Sequence, residues 1–226
     1  MRSLPVRHWD AGQNLLEVWD GTDAVAAMIV KPWTKDLDLL ASDLVRSPGL
    51  HASTIFGGLF EELDPDRYKY DGPANPMSLA MGTAWEKHFE YLLVKNGIEA
   101  HRPDEHLSPP IGNRQIQVAY SPDLFIFNGV LRCGEIKWTS KSVKGLPDEV
   151  TTFLPPKYDK YLAQMMLYIY WLQIEYDMEV QGWLSMALMH QAFDPQLRCY
   201  DIDFSTSDLR TNYNMCMNYA FEKGLL

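Results

Sequence analysis

The chain lacks most of the short patterns by which common chemistries are read. Its three cysteines, Cys133, Cys199 and Cys216, lie far apart and form no Cys-x-x-Cys pair. They cannot supply a four-cysteine iron–sulfur set, and no such cluster is expected. The histidines make no ligand-spaced group and no His-Glu-x-x-His occurs, which argues against a zinc centre. Neither a Gly-x-Ser-x-Gly elbow nor a Gly-x-x-x-x-Gly-Lys phosphate loop is present, so nucleotide hydrolysis by the chain is not indicated. No stretch approaches the roughly 18 consecutive apolar residues of a membrane span, and no signal-peptide pattern opens the sequence. A cytoplasmic protein with no membrane partner is therefore expected. Positive charge is scarce as well: 20 Lys and Arg stand against 30 Asp and Glu, a net charge of −10. That balance is the main argument against a chain that grips phosphates.

What is present begins with bulk. With 226 residues, 46% of them hydrophobic, the chain can bury a sizeable core, and its length suggests one domain. The charge deficit is uneven. Only residues 130–160 carry a basic excess, with Arg132, Lys137, Lys141, Lys144, Lys157 and Lys160 outnumbering four acids.

That basic stretch contains the most informative pattern. Tyr120–Phe127 and Val130–Trp138 are apolar runs on either side of Asn128-Gly129, the signature of two antiparallel strands joined by a tight hairpin. Side chains two apart on a strand share a face, so Glu135 and Lys137 point one way and Ile136 the other. A turn centred on 128–129 pairs position 123 near 134, which brings Asp123 within reach of Glu135. One explanation is a charged edge that guards the strand against aggregation. The other is a magnesium site, since hard cations take carboxylate and carbonyl oxygens and Mg²⁺ keeps several waters beside one or two carboxylates.

Two helices flank the hairpin in sequence. Residues 81–93 place apolar side chains at 81, 85, 89, 92 and 93, the spacing of an amphipathic helix packed on a sheet, with Glu86 beside the stripe. Residues 157–172 follow Pro155-Pro156 and form a second strong helix, on which Gln164 and Tyr168 share a face. In order, Gly82-x-x-x-Glu86, Pro122-Asp123, Glu135-Ile136-Lys137 and Gln164-x-x-x-Tyr168 resemble the RecB-like and lambda-exonuclease-like branch of the PD-(D/E)XK nuclease superfamily. The resemblance spans about residues 78–190, and its specificity lies in the combination and order of the pieces.

The resemblance implies an α/β fold with a restriction-endonuclease-like core, a central mixed β-sheet flanked by helices. It implies a single nuclease domain over 1–226, with 1–76 as an N-terminal elaboration and 77–226 as the catalytic core. It also implies catalytic residues Asp123, Glu135 and Lys137. Asp123, Glu135 and the main-chain carbonyl of Ile136 would hold Mg²⁺ or Mn²⁺, with Glu86 adding a ligand directly or through water. A second ion about 3.5–4 Å away would fit two-metal phosphodiester chemistry. Lys137 would position the attacking water or help remove its proton. Gln164 suits either that water or the phosphate, and Tyr168 either phosphate contact or base packing. Thr139, Ser140 and Lys141 lie just past the strand, where they could reach phosphates or form a solvated turn. Trp138 would face away from Glu135, for packing or for base stacking.

The activity so implied is a metal-dependent DNA exonuclease, in phage or bacterial recombination and repair. DNA is the expected partner, and a homo-oligomer and a recombination partner protein belong to the same expectation. The alternatives are a structure-specific endonuclease of the same fold and a noncatalytic DNA- or protein-binding module. For the rest of the chain, short helices are expected in 1–50, a helix start capped by Ser53, and loop over 64–76. Gly97 should close the first motif helix, and a strand should lie around Arg114–Val118. A long loop over 141–156, strands over 179–189 and 196–204, and a final helix from Ser205 or Thr206 complete the expectation.

Overall fold

The computed structural model describes residues 7–9, 16–18, 47–68, 76–139, 146–147, 154, 156–188 and 196–226. The chain divides into two compact units, Met1–Asp43 and Leu44–Leu226. In the first, β1 (Arg7–Trp9) and β2 (Leu16–Val18) pair antiparallel, Arg7 opposite Val18 and Trp9 opposite Leu16. These segments are strands where short helices were expected. In β2, Leu16-Glu17-Val18 alternates apolar and polar residues, a period of two that fits a pleated ribbon and not a helix.

The second unit is built on a five-stranded mixed sheet. Its order is β3 (Glu99–His101), β6 (Leu124–Phe127), β7 (Leu131–Thr139), β8 (Val180–Leu188) and β9 (Gln196–Ile202). Every neighbouring pair is antiparallel except β7 and β8. Parallel neighbours require a long crossover, which is supplied by a 3₁₀ turn, Pro156–Tyr158, and α4 (Asp159–Tyr176). Flanked by strands and covered on both sides, β8 is buried at eight of its nine positions, hence its near-continuous apolar sequence.

Helices cover both faces. On one lies α3 (Pro76–Lys95), whose Phe89 packs with Leu124, Ile126, Ile136 and Trp183. On the other lie α1 (Ala52–Leu63), α4 and α5 (Thr206–Glu222), around a core that includes Phe56, Phe125, Cys133, Met165, Trp171 and Leu184. Strand alternation does the sorting: even positions of β6 and β7 meet α3 and odd positions meet α4. Gly97, at φ +78°, closes α3 as expected, with Ile98 N donating to Leu93 O at 3.0 Å. Ser205 caps α5, its Oγ accepting from Asp208 N at 3.1 Å.

Three local expectations are corrected. The helix start assigned to Ser53 lies at His51, whose extended backbone precedes α1 without a side-chain cap bond. Its ring Nε2 is turned back to Ser47 O at 2.8 Å. The loop expected over 64–76 contains a short helix, α2 (Pro65–Tyr68). Pro65 takes the first helical position, where a missing N–H costs nothing, and Asp64 Oδ1 accepts from Arg67 N at 3.2 Å. The strand expected at 114–118 is a tight turn instead, closed by the Ile111–Ile116 bridge, with Gln115 at φ +54°. The strand there is β5 (Ala119–Tyr120), paired with β4 (His106–Leu107). Among the described residues, no helix is long and apolar enough to cross a membrane.

Candidate active site

The hairpin carries its acids to the open end of β6. Leu124 pairs with Gly134 and Phe127 with Leu131, so the connection is a three-residue loop, 128–130, with Gly129 at φ +76°. A two-residue turn would have set 123 opposite 134 and therefore on the face away from Glu135. The extra loop residue shifts the register by one and puts position 123 opposite 135. Because a one-residue slip exchanges the two faces of a strand, this loop length is what places both carboxylates on the α4 side.

The pairing of backbone amides stops at Asp123 N, which donates to Gly134 O at 3.1 Å. The next β7 amide on that edge, Ile136 N, donates to Asp123 Oδ2 at 2.8 Å. In an extended strand the N–H and C=O of one residue point to the same edge, so the Ile136 carbonyl lies beside the Asp123 carboxylate. Lys137 Nζ contacts Asp123 Oδ2 at 3.2 Å and pairs with Glu135 Oε2. Glu135 is fully buried, and its Oε1 accepts from Gln164 Nε2 at 2.6 Å. Gln164 also donates to the Tyr168 hydroxyl at 3.3 Å. The ring of Tyr161 lies beneath Lys137 Nζ, 5.4 Å from ring centre to nitrogen.

Glu86 approaches from α3 and is held by a residue that sequence reasoning missed: Arg102, whose Nη2 lies 3.0 Å from Glu86 Oε2. Arg102 follows β3 directly, and its own backbone N donates to Glu90 Oε1 at 3.1 Å. No local pattern in the sequence marks an arginine that pairs across sixteen positions with a helix acid. Gln164, Tyr168 and Asp123 line a cleft of about 530 Å³ with His51, Ser53, Ser121 and Lys160, at the start of α1 and α4. Lys141 and most of the 141–155 loop lie outside the described residues. Of the predicted site residues, Asp123, Glu135, Lys137, Ile136 and Gln164 are joined by direct contacts, Tyr168 through Gln164, and Glu86 stands on the adjoining helix.

The electrostatics are those of crowded anions. Burial, and then the Asp123 charge, push the Glu135 carboxyl up to about 8, against the pull of Lys137. Burial and Asp123 likewise raise Glu86 to about 7, with Arg102 and Lys137 opposing. For Lys137, burial disfavours the ammonium, but Asp123 and Glu135 outweigh it and hold the group well above its ordinary value. Carboxylates driven toward protonation by one another have more negative charge than Lys137 and Arg102 neutralise, and a divalent cation would relieve it. Among the described residues no three His, Cys, Asp or Glu side chains converge as ligands. Mg²⁺ does not require that, because one or two carboxylates, a carbonyl and waters complete its shell. The donor set therefore fits a hard cation.

No family profile matches the chain, and no curated protein matches it by sequence. Among solved structures, it is similar to the crystal structure of SSO0001, at 16% identity and a TM-score of 0.51, covering 81% of this chain and 82% of that one. Looser matches are LHK-Exo in complex with dAMP (16% identity, 77% and 87% covered, TM-score 0.48) and the alkaline exonuclease LHK-Exo from Laribacter hongkongensis (15%, 81% and 84%, 0.44). The likeness to SSO0001 establishes a shared α/β fold, a mixed sheet flanked by helices, which is the fold that the PD-(D/E)XK resemblance implies.

Proposed function

We propose that the chain is a metal-dependent nuclease that hydrolyses DNA phosphodiester bonds, acting as an exonuclease in recombination or repair. The observation that carries this reading is the convergence of Asp123, Glu135 and Lys137 on one strand edge, with Gln164 bonded to Glu135 and Glu86 alongside. All the named acids fall within 77–226, the segment read as the catalytic core.

Asp123, Glu135 and the Ile136 carbonyl would hold Mg²⁺ or Mn²⁺, with Glu86 adding a ligand directly or through water. When bound, such an ion supplies Lewis acidity to a phosphate oxygen and lowers the pKa of a coordinated water. The chain's own contribution is orientation and charge. Lys137, whose Nζ lies against Asp123 and Glu135, would hydrogen-bond the attacking water or help remove its proton, and would offset charge that develops on the phosphate. Gln164, which lines the cleft, fixes the rotamer of Glu135 by donating from its amide nitrogen, and the Tyr168 hydroxyl accepts from the same nitrogen. The cleft lined by Ser53, Ser121 and Lys160 gives the scissile strand a polar wall.

The decisive measurement uses linear DNA labelled at its 5′ or 3′ end, with and without Mg²⁺ or Mn²⁺. Metal-dependent release of nucleotides from an end is expected, abolished in Glu135→Ala. Wild-type protein inert under every metal condition, or undiminished cleavage by Glu135→Ala and Lys137→Ala, overturns the reading. Cutting of closed circles would replace exonuclease with endonuclease.

A further inference from the structure

Aromatic side chains, half-buried near the site and exposed farther out, continue outward from it along α3. Trp138 follows Lys137 on β7 and, as an even position, faces α3, where its ring centre lies 5.7 Å from that of Trp85. Trp85 is 6.2 Å from His88, and His88 is 6.1 Å from Tyr91. Lys95 closes the series, its Nζ 5.8 Å from the Tyr91 ring centre. Positions 85, 88, 91 and 95 are spaced three or four apart, so they follow one side of the helix. The inner rings, Trp85 and Trp138, are half-buried, Trp85 lying against the Phe89 core, and the outer ones leave it: His88 is exposed and Tyr91 is 56% exposed. The outer rings, His88 and Tyr91, end in solvent, where an ordinary helix surface would carry polar side chains.

Its charge is equally selective. In a chain with net charge −10, this side of α3 carries Lys87 and Lys95 and no carboxylate. Both acids of the same stretch are turned to the other flank, Glu86 to Arg102 Nη2 and Glu90 to Arg102 N. Ring faces flanked by cations are what sequence-independent single-strand binding uses, since every base offers a π-face and every linkage a negative charge. The series starts beside Glu86 and Lys137, the residues that bound the site.

We infer that the Trp138–Trp85–His88–Tyr91 series is a stacking track for single-stranded DNA that leads to or from the site, with Lys87 and Lys95 meeting its phosphates. It rests on the nuclease reading for its direction and commits to a polynucleotide as occupant. A protein face would bury the stripe against apolar side chains, whereas the stripe is flanked by the exposed Lys87 and Lys95.

The test uses the full chain and fluorescein-labelled dT20 in EDTA, where binding is read without turnover. His88→Ala/Tyr91→Ala should weaken dT20 binding about thirtyfold or more, from two lost stacking contacts, while Tyr91→Phe, which keeps the ring, should bind as wild type. Lys95→Gln should flatten the salt dependence. With Mg²⁺ present, hydrolysis of bis-p-nitrophenyl phosphate, too small to reach the track, should be the same in wild type and the double variant. Wild-type affinity in the double variant overturns the track. So does a double variant that binds dT20 normally but changes from oligomer to monomer in sedimentation, which would make the stripe a protein interface. Loss of dT20 binding in a protein that hydrolyses no phosphodiester keeps the track and removes the nuclease reading instead.

Discussion

The strand side and the helix side of the site hold their carboxylates by different means. Glu135 is part of the sheet: it is fully buried, its strand is paired on both sides, and Gln164 and Lys137 take its two oxygens. Glu86 stands on a helix at the edge, one-fifth exposed, and a single arginine holds it. The two groups share a cause for their raised pKa values, burial followed by the Asp123 charge, and differ in what opposes it. An acid fixed by hydrogen-bonded strands cannot relax away from its neighbours. An acid on a helix surface with one ion pair can swing. The strand pair thus sets the geometry of the site, and Glu86 is the less constrained of the acids.

The largest effect that sharpens this contrast is loss of the strand acid. Glu135→Ala should lower cleavage by about a thousandfold or more, because it removes a preorganised charge at the reacting centre, and single-turnover rates with saturating Mg²⁺ will read it. Gln164→Ala leaves every acid in place but frees the Glu135 rotamer. An activity loss of about tenfold to hundredfold is expected, with weakened metal affinity, in line with other supports of metal-ligating side chains. Should Gln164→Ala match Glu135→Ala, Gln164 itself would have to touch the substrate.

On the helix side, Arg102→Gln should cost less, about fivefold to tenfold, and mainly in the Mg²⁺ concentration needed for half-maximal rate. An equal loss in both halves of the comparison would show that Glu86 is as rigidly placed as Glu135.

The smallest effect is on stability and depends on pH. Glu135 and Glu86 have folded values of about 8 and about 7, above the ordinary carboxylate value of 4.5. The folded state therefore binds their protons more tightly than the unfolded chain does. The stabilisation this gives is fully present below the unfolded pKa and is lost as pH rises through 7 and 8. Without metal, Tm should fall from pH 5 to pH 8, and Mg²⁺ should recover more of it at pH 8 than at pH 6, since the acids must shed their protons to hold the ion. Glu135→Gln should flatten that slope more than Glu86→Gln; the reverse order would place the stronger charge conflict on the helix.

How much of this was legible beforehand follows from the range of the signals. The hairpin, the period-two placement of Glu135 and Lys137, the two flanking helices, the Gly97 stop and the Ser205 cap are all local, and each appears in the sequence within a few residues of where it acts. The start of α1 is not local in this sense: Ser53 has the chemistry of a cap, but the backbone begins its turn at His51, with no side-chain cap bond. Near 114–118 the apolar pattern suits a strand, but Ile111 and Ile116 close a turn on each other and the segment does not extend.

The sequence by itself determined which chemistry is present: two acids and a lysine on a hairpin, a glutamine and a tyrosine one helical turn apart, and cations gathered around them. Only the tertiary structure decided that these groups meet. The loop of three residues, 128–130, fixed the register that turned Asp123 toward Glu135, the parallel crossover through α4 brought Gln164 onto Glu135, and β3 delivered Arg102 to Glu86. Side-chain direction on a strand inverts with a single residue of slip, and ion pairs between distant segments depend on the whole path of the chain; neither is written in the spacing of the residues that make them.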